Sequence, residues 1–289
     1  MHTVRTSLLD WYADARRDLP WRGPGASAWG VYVSEIMAQQ TQIDRVVPAW
    51  LQWMERWPTA AALAASSPAD VVRQWGRLGY PRRALWMHAA ASAMVALHDG
   101  EVPREDAALR ALPGIGEYTA AAIRSFAFGE RVAVLDVNVR RVHARVFEGV
   151  ARPGTSVTNA EREHHERFLP VAAAEASALS QAVMEFGALV CTARDPGCDA
   201  CPLSGGCAWY RAGRPLSDLP ARRPARFAGS DRACRGALMR VLRESAGAVP
   251  ASRLEAAWAD ATQRARCLDG LMADGLVIPL SRNRFSLPA

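Results

Sequence analysis

Apolar residues recur at helical spacing from Thr6 to about Val190. The stretches AWGVYVSEIMAQQTQIDRVVPAWLQWM (28–54), PADVVRQWGRLG (68–79) and RRALWMHAAASAMVALH (82–98) show it most clearly. Strand-like alternation is nearly absent over this span, so the main body reads as all-α. Gly and Pro clusters at 23–25 and 113–116 punctuate it. After Cys207 the pattern fades into YRAGRPLSDLPARRPARFAGSDR, rich in Arg and Pro, which reads as a surface linker over 213–230. Order returns at 231–289. DRACRGALMRVLRESAG, ASRLEAAWA and ATQRARCLDGLMADG carry three helical patterns, and VIPL, a turn at SRN, and RFSLP predict a hairpin. Three helices and a β-ribbon match either a winged helix or a small docking domain. In the first case Arg264, Arg266, Arg282 and Arg284 are the candidates for phosphate contacts.

Composition adds a few constraints. Half of the 289 residues are apolar, enough for a sizeable core. No run is long enough to span a bilayer, and the first residues lack the apolar stretch of a signal peptide. An intracellular, cytoplasmic location is expected, and there structural disulfides are disfavoured. The net charge of +6 suits an anionic partner such as nucleic acid. There is no lysine, so all 35 basic residues are arginine. No side chain can therefore form a Schiff base.

Four of the six cysteines fall in CTARDPGCDACPLSGGC, at Cys191, Cys198, Cys201 and Cys207. Zinc ribbons bring together two separated Cys-x2-Cys knuckles, whereas here one knuckle is flanked by wider loops. Four thiolates on one tight loop suit a [4Fe–4S] cluster, with zinc as the alternative. Cys234 and Cys267 read as ordinary buried thiols.

Between two helical patterns, LRALPGIGEYTAAAIRSFAFG (109–129) places LPGIG. Its glycines, Gly114 and Gly116, permit a tight turn and leave bare N–H groups at the start of the second helix, a natural phosphate site. A plain helical-hairpin turn has the same look. Asp136, in VAVLDVNVRRVHARV, precedes a helical run and reads first as an N-cap. Glu35 lies among Val31, Val33, Ile36 and Met37, where desolvation raises a carboxyl pKa. Continued as a helix, Glu35, Ala38, Gln39 and Gln42 would share one face.

DLPWR (18–22), SEIMAQQTQ (34–42), GRLGYPRRA (76–84), LPGIGEYTAAAI (112–123), VLDVNVRRV (134–142) and the cysteine loop occur in this order. Together, over about residues 5–210, they resemble the helix-hairpin-helix DNA glycosylases with an iron–sulfur cluster. Within these they are similar to the adenine DNA glycosylases of the MutY type. The resemblance implies an all-α fold of two lobes with a cleft between them, occupying residues 1–212 with the cluster loop at 191–207. It implies a monomer acting on double-stranded DNA that contains mispaired adenine, cleaving the N-glycosidic bond without cutting the strand. Glu35 would protonate the adenine and Asp136 would stabilise the oxocarbenium-like sugar. Tyr118 and Asn138 would support them. Trp21, Arg22 and Glu185 would line the adenine pocket, Gln40 and Tyr80 would wedge into the base stack, and Gly114 and Gly116 would grip phosphate. A [4Fe–4S] cluster would be held by the four cysteines.

The chain departs from that pattern at Ala38, a common leucine position, at Val137, a common glycine, and at Pro81, a frequent second tyrosine. The β-rich terminal domain that helps many relatives read 8-oxoguanine has no counterpart. Two rival readings share some of the motifs: a thymine or uracil mismatch glycosylase, and a non-catalytic iron–sulfur DNA-binding regulator.

Overall fold

The computed structural model describes residues 1–23, 25–217 and 226–289. Residues 218–225 of the linker expected at 213–230 therefore lie outside the described residues. The helices are α1 (His2–Ala15), α2 (Ala28–Ala38), α3 (Ile43–Arg56), α4 (Ala60–Ala64), α5 (Pro68–Trp75), α6 (Arg82–Leu97), α7 (Asp106–Ala111) and α8 (Glu117–Phe128). They continue with α9 (Val137–His143), α10 (Asn159–Phe168), α11 (Ala173–Leu189), α12 (Ala208–Arg211), α13 (Asp231–Arg243), α14 (Ala251–Ala257) and α15 (Ala261–Ala273). Their starts follow local chemistry. Ser67, Asp136, Ser230 and Asp260 each accept a backbone N–H of their own first turn. Thr158 and Glu161 close a reciprocal capping box at α10.

The chain forms two compact units. The first comprises Met1–Val31, Arg104–Arg110 and Ile115–Arg222. Its core gathers Leu8, Val139, Val142, Phe168, Leu179, Val183, Phe186 and Trp209. Helix α11 packs on α1 and α9, and Trp11 meets Phe186 edge-on at 5.1 Å.

The second unit comprises Tyr32–Pro103, Ala111–Gly114 and Arg223–Ala289. Ala84, Ala90 and Ala91 are wholly buried on α6, and their small side chains let α4 and α5 approach it closely. Trp53 lies edge-on to Trp57 and Trp75, at 4.7 and 5.8 Å. The terminal segment belongs to this unit. It runs α13, β1 (Val249–Pro250), α14, α15, β2 (Ile278–Leu280), β3 (Arg284–Ser286), with sheet order β1-β3-β2. That is winged-helix order, with the hairpin expected from the sequence and an added two-residue strand. Asp274 pairs with Arg82 on α6 at 3.2 Å and with Arg235 on α13.

Three of the four arginines expected to face phosphate are engaged within the terminal segment. Arg264 donates to the carbonyls of Trp258 (2.6 Å) and Ala259 (3.4 Å), Arg266 spans Asp231, and Arg284 donates to the Ala248 carbonyl at 2.9 Å.

Candidate active site and cysteine loop

Asp136 is both a cap and a candidate catalytic group. Its Oδ1 accepts the backbone N–H groups of Asn138 (2.9 Å) and Val139 (2.6 Å). Its Oδ2 accepts the side-chain amide of Asn138 at 2.7 Å. Burial pushes the carboxyl pKa up; these donors and the charge of Arg141 pull it down, and burial prevails. The other end of Asn138, its Oδ1, accepts from Arg141 at 2.7 Å. A donor contact on one side and an acceptor contact on the other fix which way the amide points.

Arg141 extends the network further. It donates to the carbonyls of Gly187 (2.6 Å) and Cys191 (2.8 Å), tying the α9 terminus to the start of the cysteine loop. Gly187 is a glycine for steric reasons: a Cβ there would sit 2.7 Å from the Cβ of Asn138. The α9–α11 contact that seats Asn138 needs a residue without a side chain.

Tyr118, on α8, packs against Ala121, Ala122 and Val134 and donates its hydroxyl to Met184 Sδ at 3.7 Å. The hairpin turn ahead of it uses its two glycines differently. Gly114 has φ +83°, and a side chain there would meet Trp86 at 3.1 Å. Gly116 has φ −98°, open to any residue, but nothing lies within 4 Å of its missing Cβ. It leaves the first N–H groups of α8 uncrowded.

Arg22 and Glu185 come together, joined by Arg17, which the sequence did not single out, and Trp21 lies in the same turn as Arg22. Arg17 engages both oxygens of Glu185, at 2.7 and 2.8 Å, and adds its own backbone N–H at 3.1 Å. Arg22 adds a contact at 3.1 Å. Burial would raise the Glu185 carboxyl, but the two arginines outweigh it and hold the pKa at about 2. The knot ties the turn Pro20–Arg22, with buried Trp21, to α11.

Glu35 is 9% exposed on α2, among buried Val31, Val33, Ile36 and Met37. The helix does not continue to Gln42. It ends at Ala38, and Gln42 caps α3. Gln40 takes φ 54°, which no α-helix accommodates, so Gln39 and Gln42 do not share a helical face with Glu35. Tyr80 also lies in the left-handed region, at φ 46°, and is 51% exposed. Buried Arg83 holds carbonyls beside both residues and was not singled out by the sequence, because four of its five partners are backbone atoms.

The four cysteines line one pocket with Leu203 and Trp209, and none of them is in a disulfide. Arg145, 3% exposed over the Trp209 ring, donates to Cys191 Sγ at 3.3 Å, and the Leu203 N–H donates to Cys201 Sγ at 3.4 Å. Burial raises the Cys201 thiol to about 11 against the Leu203 N–H, and the three neighbouring sulfurs add to the rise. Among the described residues, no three His, Cys, Asp or Glu side chains close on a point where one metal ion could sit. Four soft donors around an apolar pocket, two already receiving N–H contacts, fit a thiolate-held cluster. Cys234 and Cys267 are buried elsewhere, between α13 and α15.

Residues 33–166 match the HhH-GPD superfamily base excision DNA repair protein. The adenine DNA glycosylase of Mycolicibacterium smegmatis is 49% identical over 281 residues, covering 97% of this chain and 94% of that protein. This chain belongs to the adenine DNA glycosylase family. The human adenine DNA glycosylase is 39% identical over 211 residues, 70% of this chain and 38% of its own length. Among solved structures, a thermostable thymine-DNA glycosylase aligns with a TM-score of 0.65 at 25% identity, covering 73% of this chain and 96% of its own. The bacterial family member thus shares nearly the whole chain, terminal segment included, whereas the human one is far longer. The departures from the family pattern sit at element boundaries. Ala38 is the last residue of α2, Val137 the first of α9 and 70% exposed, and Pro81 directly precedes α6.

Proposed function

We propose that this chain removes adenine mispaired with guanine or 8-oxoguanine in duplex DNA, as a monofunctional glycosylase. The observation that carries the reading is the Asp136 carboxylate: half-buried, aimed by Asn138, on a chain related over almost all its length to adenine DNA glycosylases. In the reaction, Glu35 donates a proton to the departing adenine. Asp136 faces the cationic sugar and stabilises it until water adds. Tyr118 stands by the sugar without an amine, so no imine forms and the strand stays intact. The uncrowded N–H groups of α8 hold a phosphate, and Trp21 with Arg22 borders the base.

The thymine reading rests on a 25% likeness in fold, against 49% identity to an adenine enzyme over nearly the whole chain. Cys191, Cys198, Cys201 and Cys207 would hold a [4Fe–4S] cluster, which when bound braces the loop and sets its charge. Arg145 would steady the Cys191 thiolate, and Arg141 would carry the loop's position to Asn138. Residues 1–212 serve as the glycosylase domain and 231–289 as a winged helix beside the DNA. No helix among the described residues is long and apolar enough to cross a membrane.

Excision from duplexes with adenine opposite 8-oxoguanine, guanine, cytosine and thymine tests the reading. Turnover is expected for the first two, with strand breaks only after alkali or heat and no adduct trapped by borohydride. Preferential release of thymine or uracil from pairs with guanine would overturn it, as would efficient trapping.

A further inference from the structure

The two loops that carry Gln40 and Tyr80 share one anchor. Arg83, on the first turn of α6, is 4% exposed. One terminal nitrogen donates to the carbonyls of Ile36 (2.7 Å), Met37 (3.2 Å) and Gln39 (2.7 Å). The other donates to Thr41 Oγ1 and to the Gly79 carbonyl, both at 3.1 Å. The acceptors therefore lie on both sides of Gln40 and directly before Tyr80. Thr41 Oγ1 also reaches the carbonyls of Gln39 and Leu78, both at 3.3 Å, and Trp75 donates to the Gly79 carbonyl at 2.8 Å. The guanidinium stands 5.0 Å from the Trp75 ring and 5.7 Å from the Tyr80 ring.

This arrangement has a conformational purpose. Non-glycine residues persist in the left-handed region only where their surroundings over-determine them. Gln40 and Tyr80 both do so, and both neighbours of Gln40 and the residue before Tyr80 are held by the same side chain. A planar fork with donors at fixed angles can reach five acceptors on two loops; a compact ammonium cannot. The cation also meets carbonyls at the open C-terminal end of α2, where the helix dipole favours it.

We propose that Arg83 is the positioning residue for base extrusion, setting Gln40 and Tyr80 in one rigid geometry before DNA arrives. The proposal rests on the reading of those two side chains as the groups that enter the base stack.

The test compares single-turnover excision of adenine opposite guanine with adenine opposite an abasic site, where no partner base pairs with the adenine or has to be wedged aside. Arg83→Lys is expected to slow the first by about 10–100-fold, the scale of a misplaced constellation, and the second by less than about threefold. In a Gln40→Ala/Tyr80→Ala background, which alone should slow the mispaired substrate, Arg83→Lys should add nothing. Should Arg83→Lys fail to fold, Thr41→Val, which removes one acceptor of the fork, must show the same selective loss. Equal loss on both substrates, or a further loss in the double-variant background, would overturn the role of Arg83. Normal excision by Gln40→Ala/Tyr80→Ala would instead overturn the underlying wedge reading.

Discussion

Asp136 answers to two demands at once, and two substitutions separate them. Asp136→Asn keeps an oxygen for the α9 N–H groups, since Asn caps as well as Asp. Asp136→Ala loses the cap as well and should cost about 1 kcal/mol of stability. Both should lose excision, while thermal unfolding distinguishes them. Because burial raises this carboxyl, the acid limb of the rate profile should lie above the ordinary aspartate value of 3.8. Glu35→Gln should keep DNA affinity and lose about 10²–10⁴-fold in rate, because an amide cannot donate the proton. Near-normal single-turnover excision by that variant would remove Glu35 from the mechanism. Glu185 ties the Pro20–Arg22 turn to α11 through Arg17 and Arg22. Its folded pKa of about 2 lies below the ordinary 4.5, so its stabilisation is complete above pH 4.5 and disappears as pH falls towards 2. Glu185→Gln should therefore cost about 3 kcal/mol at pH 7. The gap from the unsubstituted protein should close through that acid window in denaturant titrations.

Among the elements, the α9–α11 contact is the most exacting. Gly187→Ala would drive its methyl into Asn138, displacing the amide that aims Asp136. We expect about 10²-fold slower excision with cysteine-loop spectra unchanged. A full-rate Gly187→Ala enzyme would show that Asn138 does not aim the carboxylate. The elements also show how far patterning carries. Helical periodicity located α6 and α8 closely, the pattern resuming at 231 located α13, and the cap residue Asp136 marked the start of α9. It failed at residues 39–42, where apolar spacing runs on through a turn imposed by the left-handed Gln40. It missed β1, because two residues cannot display an alternation. The cysteine set and both carboxylates were legible because their chemistry is local in sequence or in motif. Arg17, Arg83, Arg141 and Arg145 were not, because an arginine that serves distant carbonyls or carboxylates leaves no spacing to read.

At the level of the molecule, the terminal segment shares a compact unit with residues 32–103. It meets α6 through Asp274 and Arg82, and Leu85 comes close to Gly275. Burial lowers the Arg243 guanidinium, and the charges of Arg77 and Arg240 lower it further against Glu244, which marks a concentration of positive charge beside the Tyr80 loop. Arg77→Ala and Arg240→Ala should each reduce the slope of log affinity against log salt by about 0.9 if each neutralises one phosphate. Arg266→Ala, whose charge is spent on Asp231, should leave the slope unchanged in fluorescence-anisotropy titrations. The interleaving of the two units also sets an order of birth on the ribosome. Every residue of the first unit has been synthesised once position 222 is reached, whereas the second waits for residues 223–289. At ~5–20 residues per second the interval is several seconds. Throughout it the first unit has its full complement while α3–α6 still lack their last partner. A premature stop codon in this stretch therefore does not trim an appendage; it leaves a lobe half-made.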